Sequence, residues 1–168
     1  MRRRISILAA LVLLGLAAFV AITKAEGPSG VTPTLLARGH FPSFNVRSDP
    51  RGTIDDFRAH STAPIDILVR QHDYAPRSTT GWHSHPGPVF ITVTQGTLTY
   101  YEADDPTCTP HIVTAGTANN AFVDEGSGHV VRNESGAAAQ DISIITAAAD
   151  DAVPFRSNLP APGPYCSF

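Results

Sequence analysis

The sequence predicts an all-β domain, a sandwich or barrel, on three observations. Short runs rich in Val, Ile, Thr, Phe and Tyr recur along residues 63–147. Gly, Pro, Asn and Asp punctuate them at turn-like intervals. No helical periodicity of useful length follows the N-terminal apolar segment. Many short strands separated by turns, with no helices to cover a parallel sheet, are the pattern of a sandwich or closed barrel.

Taken in order, residues 26–62 are rich in Gly, Pro, Ser and Arg and read as an extended arm able to pair with an edge strand. Residues 65–71 alternate β-branched and polar side chains and read as a strand, and the turn-forming stretch 75–81 reads as a loop. Two β-rich runs, 89–94 and 97–101, flank Gln95-Gly96, which predicts a hairpin. Residues 104–110 read as a loop, and 111–114, 121–123, 129–132 and 141–146 as further short strands. The last twenty residues hold four prolines and read as an irregular tail over 148–168. There is no internal repeat and no low-complexity block.

The chain opens Met1-Arg2-Arg3-Arg4, continues apolar over residues 5–22 and reaches small residues ending at Ala25. A basic start, an apolar core and a small-residue site read as a secretory signal over residues 1–25. The apolar stretch is also long enough for an uncleaved membrane anchor. Either reading puts the remainder outside the cytoplasm, secreted or extracytoplasmic. Four of the 12 Lys and Arg lie in residues 1–25 and all 15 acids lie beyond, so eight cations face 15 acids and the mature net charge is −7. Phosphate backbones would be repelled, which excludes a nucleic-acid partner, and no Lys or Arg run offers a basic membrane patch. The mature length suits one domain with one core. Its two cysteines, Cys108 and Cys166, are expected to form a structural disulfide in an oxidising compartment rather than to act as ligands or nucleophiles.

The chemistry is carried by His83-Ser84-His85 and, far downstream, by His129. Residues two apart on a strand point to one face, so His-x-His aims two imidazoles at one point, and a divalent ion then wants a third ligand. Neutral imidazole suits zinc, copper, iron and nickel. The spacing around these histidines resembles the cupin family, over roughly residues 64–147. The family's first motif runs from a Gly through His-x-His and a Glu to a second Gly. Here those positions hold Arg77, His83, His85, Val89 and Gly96. The second motif, Pro-x-Gly followed by His and Asn, is matched by Asp124, Gly126, His129 and Asn133.

The resemblance implies a single-domain double-stranded β-helix, the cupin jelly-roll barrel, with an N-terminal arm. It also implies a mononuclear site for a divalent transition metal (Fe, Mn, Zn, Ni or Cu) held by His83, His85 and His129. Val89 replaces the glutamate that usually completes such a site, leaving three histidine ligands and open positions, which suits catalysis. Losing that carboxylate also makes the site one charge more positive and favours an anionic ligand. Arg77 for Gly and Asp124 for Pro are expected to alter turns only. The resemblance further suggests a homodimer associating through sheets.

Two functional classes follow. One is an enzyme resembling three-histidine cupin dioxygenases, acting on a small molecule. The other is a non-catalytic extracytoplasmic module that holds a metal or a small ligand. An enzyme should place a general acid or base in the pocket. The sequence offers Tyr100, Tyr101, Glu125 and His72 for that task. Trp82 reads as packing at the barrel mouth, Asn133 as a turn residue or a support behind the ligands, and His40, His60 and His111 as surface or loop histidines.

Overall fold

The computed structural model describes residues 27–48, 57–151, 153–163, 166 and 168. The expected export segment, residues 1–25, lies outside the described residues. Among those described, no helix is long and apolar enough to cross a membrane.

The described residues form twelve strands, in chain order β1 (Ser29–Phe41), β2 (Phe44–Arg47), β3 (Arg58–Ser61), β4 (Ile65–Thr79), β5 (His83–Ser84), β6 (Val89–Gln95), β7 (Thr97–Glu102), β8 (His111–Thr114), β9 (Ala121–Asp124), β10 (His129–Arg132), β11 (Ala139–Ala148) and β12 (Ser157–Asn158). Ten of them make one sheet, ordered β12-β5-β10-β4-β11-β6-β9, with β1 on β4 and with β7 joining β10 to β8. The sheet curls almost closed into the all-β barrel that the sequence predicts. β2 and β3 form a separate small ribbon within the stretch read as an arm.

The strands obey the alternation expected of a sheet with one buried face. On β6, Val89, Ile91 and Val93 are buried while Phe90, Thr92 and Thr94 face out. Each of these inward aliphatics contributes about 1.5–3 kcal/mol by leaving water. The barrel interior holds two apolar clusters, Leu68, Val89, Ile91, Ile145 and Ala147 in one and Tyr74, Val93, Leu98, Val113, Val131 and Ala139 in the other.

Two local expectations are corrected. The predicted hairpin around Gln95-Gly96 does not form: β6 pairs with β11 and β9, whereas β7 pairs with β10 and β8. Gly96 (φ 71°) instead turns a barrel corner, and a Cβ there would sit 2.8 Å from the Ala138 carbonyl oxygen. Such crowding with a positive φ leaves little but glycine.

The predicted loop at 75–81 is also strand as far as Thr79. β1 matches Val31 to Tyr74 and then Ser29 to Thr79, so the intervening residues bulge from the ladder rather than ending it. Pro76 needs no ladder partner in such a bulge, and Arg77 takes the left-handed conformation (φ 61°) at the family's glycine position.

β1 is anchored to β4 by the buried Asp66, whose carboxylate accepts from Arg38 and, at 3.0 Å, from His40 Nδ1. The C-terminal tail is anchored more firmly. Cys108 and Cys166 form a disulfide with Cα atoms 5.3 Å apart. Cys166 is buried with Trp82, Tyr101 and Val130, and Phe168 stacks on Trp82 at 6.3 Å. Bridging residues 58 apart removes about 4 kcal/mol of chain entropy from the unfolded state. The double substitution C108S/C166S is therefore expected to lower stability by about 4 kcal/mol in urea titrations followed by Trp82 fluorescence. A variant as stable as the parent would show that the tail is held without the bond.

Candidate metal centre

The short pairing of β5 with β10 sets His83 directly opposite His129. His85 follows His83 on the same face, just past the end of β5. The three rings gather with centroids 4.2 Å (His83–His129), 4.9 Å (His83–His85) and 5.5 Å (His85–His129) apart. One nitrogen of each lies within 4.8 Å of the others.

A backbone carbonyl can only accept, so each ring nitrogen that meets one must carry its proton. His83 Nδ1 donates to the Gly81 carbonyl at 2.8 Å, His85 Nδ1 to that of Phe155 at 2.7 Å, and His129 Nδ1 to that of Ser127 at 3.2 Å. Nε2 is thereby the free donor atom on all three rings, and the ring planes are fixed before any ion arrives.

Burial also keeps these rings neutral. It pushes His83 down to about 2, with the positive charges of His129 and Arg156 acting in the same direction. Burial likewise lowers His85 to about 4, against the opposing pull of the Phe155 carbonyl, and His129 to about 4. Three neutral, oriented imidazoles in one buried cluster are a donor set that fits a divalent transition ion.

Val89, at the family's glutamate position, is buried and lines the same cavity, so no carboxylate enters from there. Asp124 does more than shape a turn. Its Oδ1 accepts from the Gly126 amide at 3.0 Å and lies 3.4 Å from His129 Nδ1, while its Oδ2 is buried with no partner. Burial raises its pKa. A carboxylate behind an imidazole orients the ring and strengthens it as a donor.

The histidines open onto a cavity of about 130 Å³. Inward alternation on β4 brings Arg70, His72 and Tyr74 to its wall, and β11 adds Asp141 and Ser143. Asp141 is buried and collects three donors: His72 Nδ1 at 2.9 Å, the Tyr74 hydroxyl at 2.8 Å and the Ser143 hydroxyl at 2.9 Å. Burial and the Asp141 charge drive the Tyr74 hydroxyl well up, so Tyr74 stays protonated. The tail closes the wall with Phe155 and Arg156.

Of the four acid–base candidates named from sequence, only His72 lines this cavity. Tyr101 is buried under the tail and bonds Glu134 at 3.1 Å, Tyr100 stacks on Phe122 and His111, and Glu125 is exposed. Trp82 packs beneath the tail. Asn133 braces a turn, donating to the carbonyls of Ala75 and Ala137 and accepting from Ser135.

Sequence reading passed over Arg70, Asp141, Phe155 and Arg156. A signal existed for the first: Arg70, His72 and Tyr74 share one face by simple alternation. Yet the apolar partners Ile65, Ile67 and Val69 suggest the opposite face as the buried one.

The burial of these imidazoles sets a pH dependence. Their folded pKa values lie below the unfolded value of about 6.5, so the unfolded chain takes up protons first as pH falls. The stabilisation is complete above about pH 7 and erodes below it, by on the order of 2 kcal/mol per imidazole at pH 5. Urea titrations of metal-free protein between pH 8 and 5 are expected to show this decline, and a flat profile would contradict it.

Comparison with known proteins places this geometry in a family. Residues 71–145 match the family model described as the cupin domain. No curated protein matches the sequence. Among solved structures, a polyketide cyclase from Streptomyces resistomycificus is similar at 16% identity and a TM-score of 0.52, over 86% of this chain and 82% of that one. A cupin-like protein from Thermotoga maritima is similar at 17% identity and a TM-score of 0.50, over 82% of this chain and 83% of that one. These likenesses are of fold. With the barrel, the two histidine-bearing motifs and this match, residues 71–145 of the chain are a cupin domain.

Proposed function

We propose that this protein is an exported, metal-dependent cupin. His83, His85 and His129 hold one divalent transition-metal ion, and a small molecule is transformed in the cavity beside it. The observation that carries the reading is the set of three clustered imidazoles, two buried and one half-buried, each with Nδ1 committed to a backbone carbonyl and Nε2 free. Export rests on the sequence of residues 1–25, and the expected disulfide chemistry suits the same compartment.

When bound, the ion supplies Lewis acidity and, as iron, the redox chemistry of an oxygenase. The chain's own residues do the rest. Val89, Ile91 and Ile145 line the cavity beside the histidines and give a ligand an apolar surface to rest on. His72 is the proton acceptor: Asp141 fixes its Nδ1, so Nε2 remains for a substrate proton. Tyr74 and Ser143, donating to the same carboxylate, hold Asp141 in place. A module that only stored metal would have no use for an oriented histidine–carboxylate pair in its cavity, and this favours a small-molecule site over metal storage alone.

Elemental analysis of protein recovered from its own extracytoplasmic compartment is expected to find one divalent transition ion per chain. The double substitution H83A/H85A removes it, and full occupancy in that variant refutes the site. D124N keeps the ligands but loses the charge behind His129, and metal affinity is expected to fall about 10–100-fold by competition with a chelator. Oxygen uptake by iron-loaded protein offered small molecules separates the two classes: turnover that H72A slows supports the oxygenase, whereas tight binding with no uptake supports the module.

A further inference from the structure

Two cations reach the cavity, and among the described residues no acid pairs with either. Arg70 lies on the inner face of β4, two residues before His72, with its guanidinium 4.9 Å over the ring of Phe155. Its Nε is buried and has no hydrogen-bond partner. Arg156 enters from the tail and meets neutral groups only, donating to the Thr80 carbonyl at 2.6 Å and to the Asn158 side chain. Both arginines line the cavity that the three histidines line, so their like charges share one space and oppose each other. Burial lowers the pKa of Arg70 as well. The carboxylate on the same wall, Asp141, is already committed to His72, Tyr74 and Ser143.

Two like charges in one partly desolvated cavity oppose each other unless something of opposite charge joins them. Guanidinium presents paired N–H donors that match a carboxylate. One part of the wall is apolar, with Val89, Ile91, Ile145 and Phe155 facing the same space. That surface suits hydrocarbon and disfavours a fully hydrated inorganic ion.

We infer that the ligand of this cavity is a small organic acid whose carboxylate is received by Arg70 and Arg156 and whose hydrocarbon part rests on the apolar wall. This deepens the reading of the cavity as a small-molecule site. The recognition itself requires only the two arginines, so it can be tested with and without metal.

The test is calorimetric titration of the folded, disulfide-intact protein, metal-free and metal-loaded, with hexanoate, benzoate, hexanamide and inorganic phosphate. At least one of the two organic acids is expected to bind, with hexanoate bound about tenfold or more tighter than its uncharged amide. Arg70→Gln and Arg156→Gln are each expected to weaken the acid about tenfold or more in both metal states, with metal content unchanged by elemental analysis. Arg70→Lys, which keeps the charge but loses the fork, is expected to fall between parent and Arg70→Gln. Thermal melts confirm that each variant is folded, and Arg70→Lys serves as the deciding variant if Arg70→Gln does not fold. Equal binding of acid and amide, phosphate bound more tightly than either acid, no binding of either acid in both metal states, or affinity indifferent to Arg70 would each overturn the inference. Loss of metal binding with the arginine dependence intact would count against the metal reading alone.

Discussion

The register between β5 and β10 is the constraint on which the site depends. His83 and His129 face each other across that pairing, at the separation where cross-strand side chains touch. The side-chain period of a strand is two, so a slip of one residue would turn His129 out of the cavity. The register is held from several sides. β10 pairs with β7 along its other edge, from His129 opposite Glu102 to Arg132 opposite Thr99. β12 lies on the far side of β5 and sets Asn158 opposite His83. The Thr80 hydroxyl accepts from the Val131 amide at 2.9 Å, and the Leu159 amide donates to the Trp82 carbonyl at 2.8 Å.

A cavity lined with polar groups interrupts what would otherwise be one continuous core. Val89, Ile91 and Ile145 belong to one apolar cluster and Tyr74 and Val131 to the other, and all five line the cavity between them. His72, Tyr74, Asp141 and Ser143 satisfy one another there, which keeps the cost of burying them small. Asp141 with its three donors is the centre of that network. Buried side-chain atoms left without a partner include Arg70 Nε and Asp124 Oδ2, and both belong to the site or its support. Unsatisfied groups at a site are what a binding partner is positioned to meet.

The tail is part of the centre rather than an appendage. The Phe155 carbonyl holds His85, the Phe155 ring underlies Arg70, and Arg156 carries charge into the cavity. β12 and the disulfide keep that segment against the barrel. Function borne on a segment without regular structure needs a rigid frame to position it, and here the frame includes a covalent bond.

The barrel and the meeting of His83 and His85 with the distant His129 were legible in the chain, because strand patterning and motif spacing are local properties. Strand partners were not. Gln95-Gly96 has the composition of a hairpin turn, yet its flanking strands pair elsewhere, since closing the barrel decides which edges meet. The face of β4 was misleading for a related reason. Its most apolar residues lie away from the cavity, while Arg70, His72 and Tyr74 line it, because a site rather than a core occupies that side. Sequence alone thus determined the fold class and singled out the three histidines that cluster. Only the tertiary structure brought Asp141 to His72 across 69 residues and Arg156 to the histidines from the tail, because proximity between distant residues is created by sheet closure and is written in no local pattern.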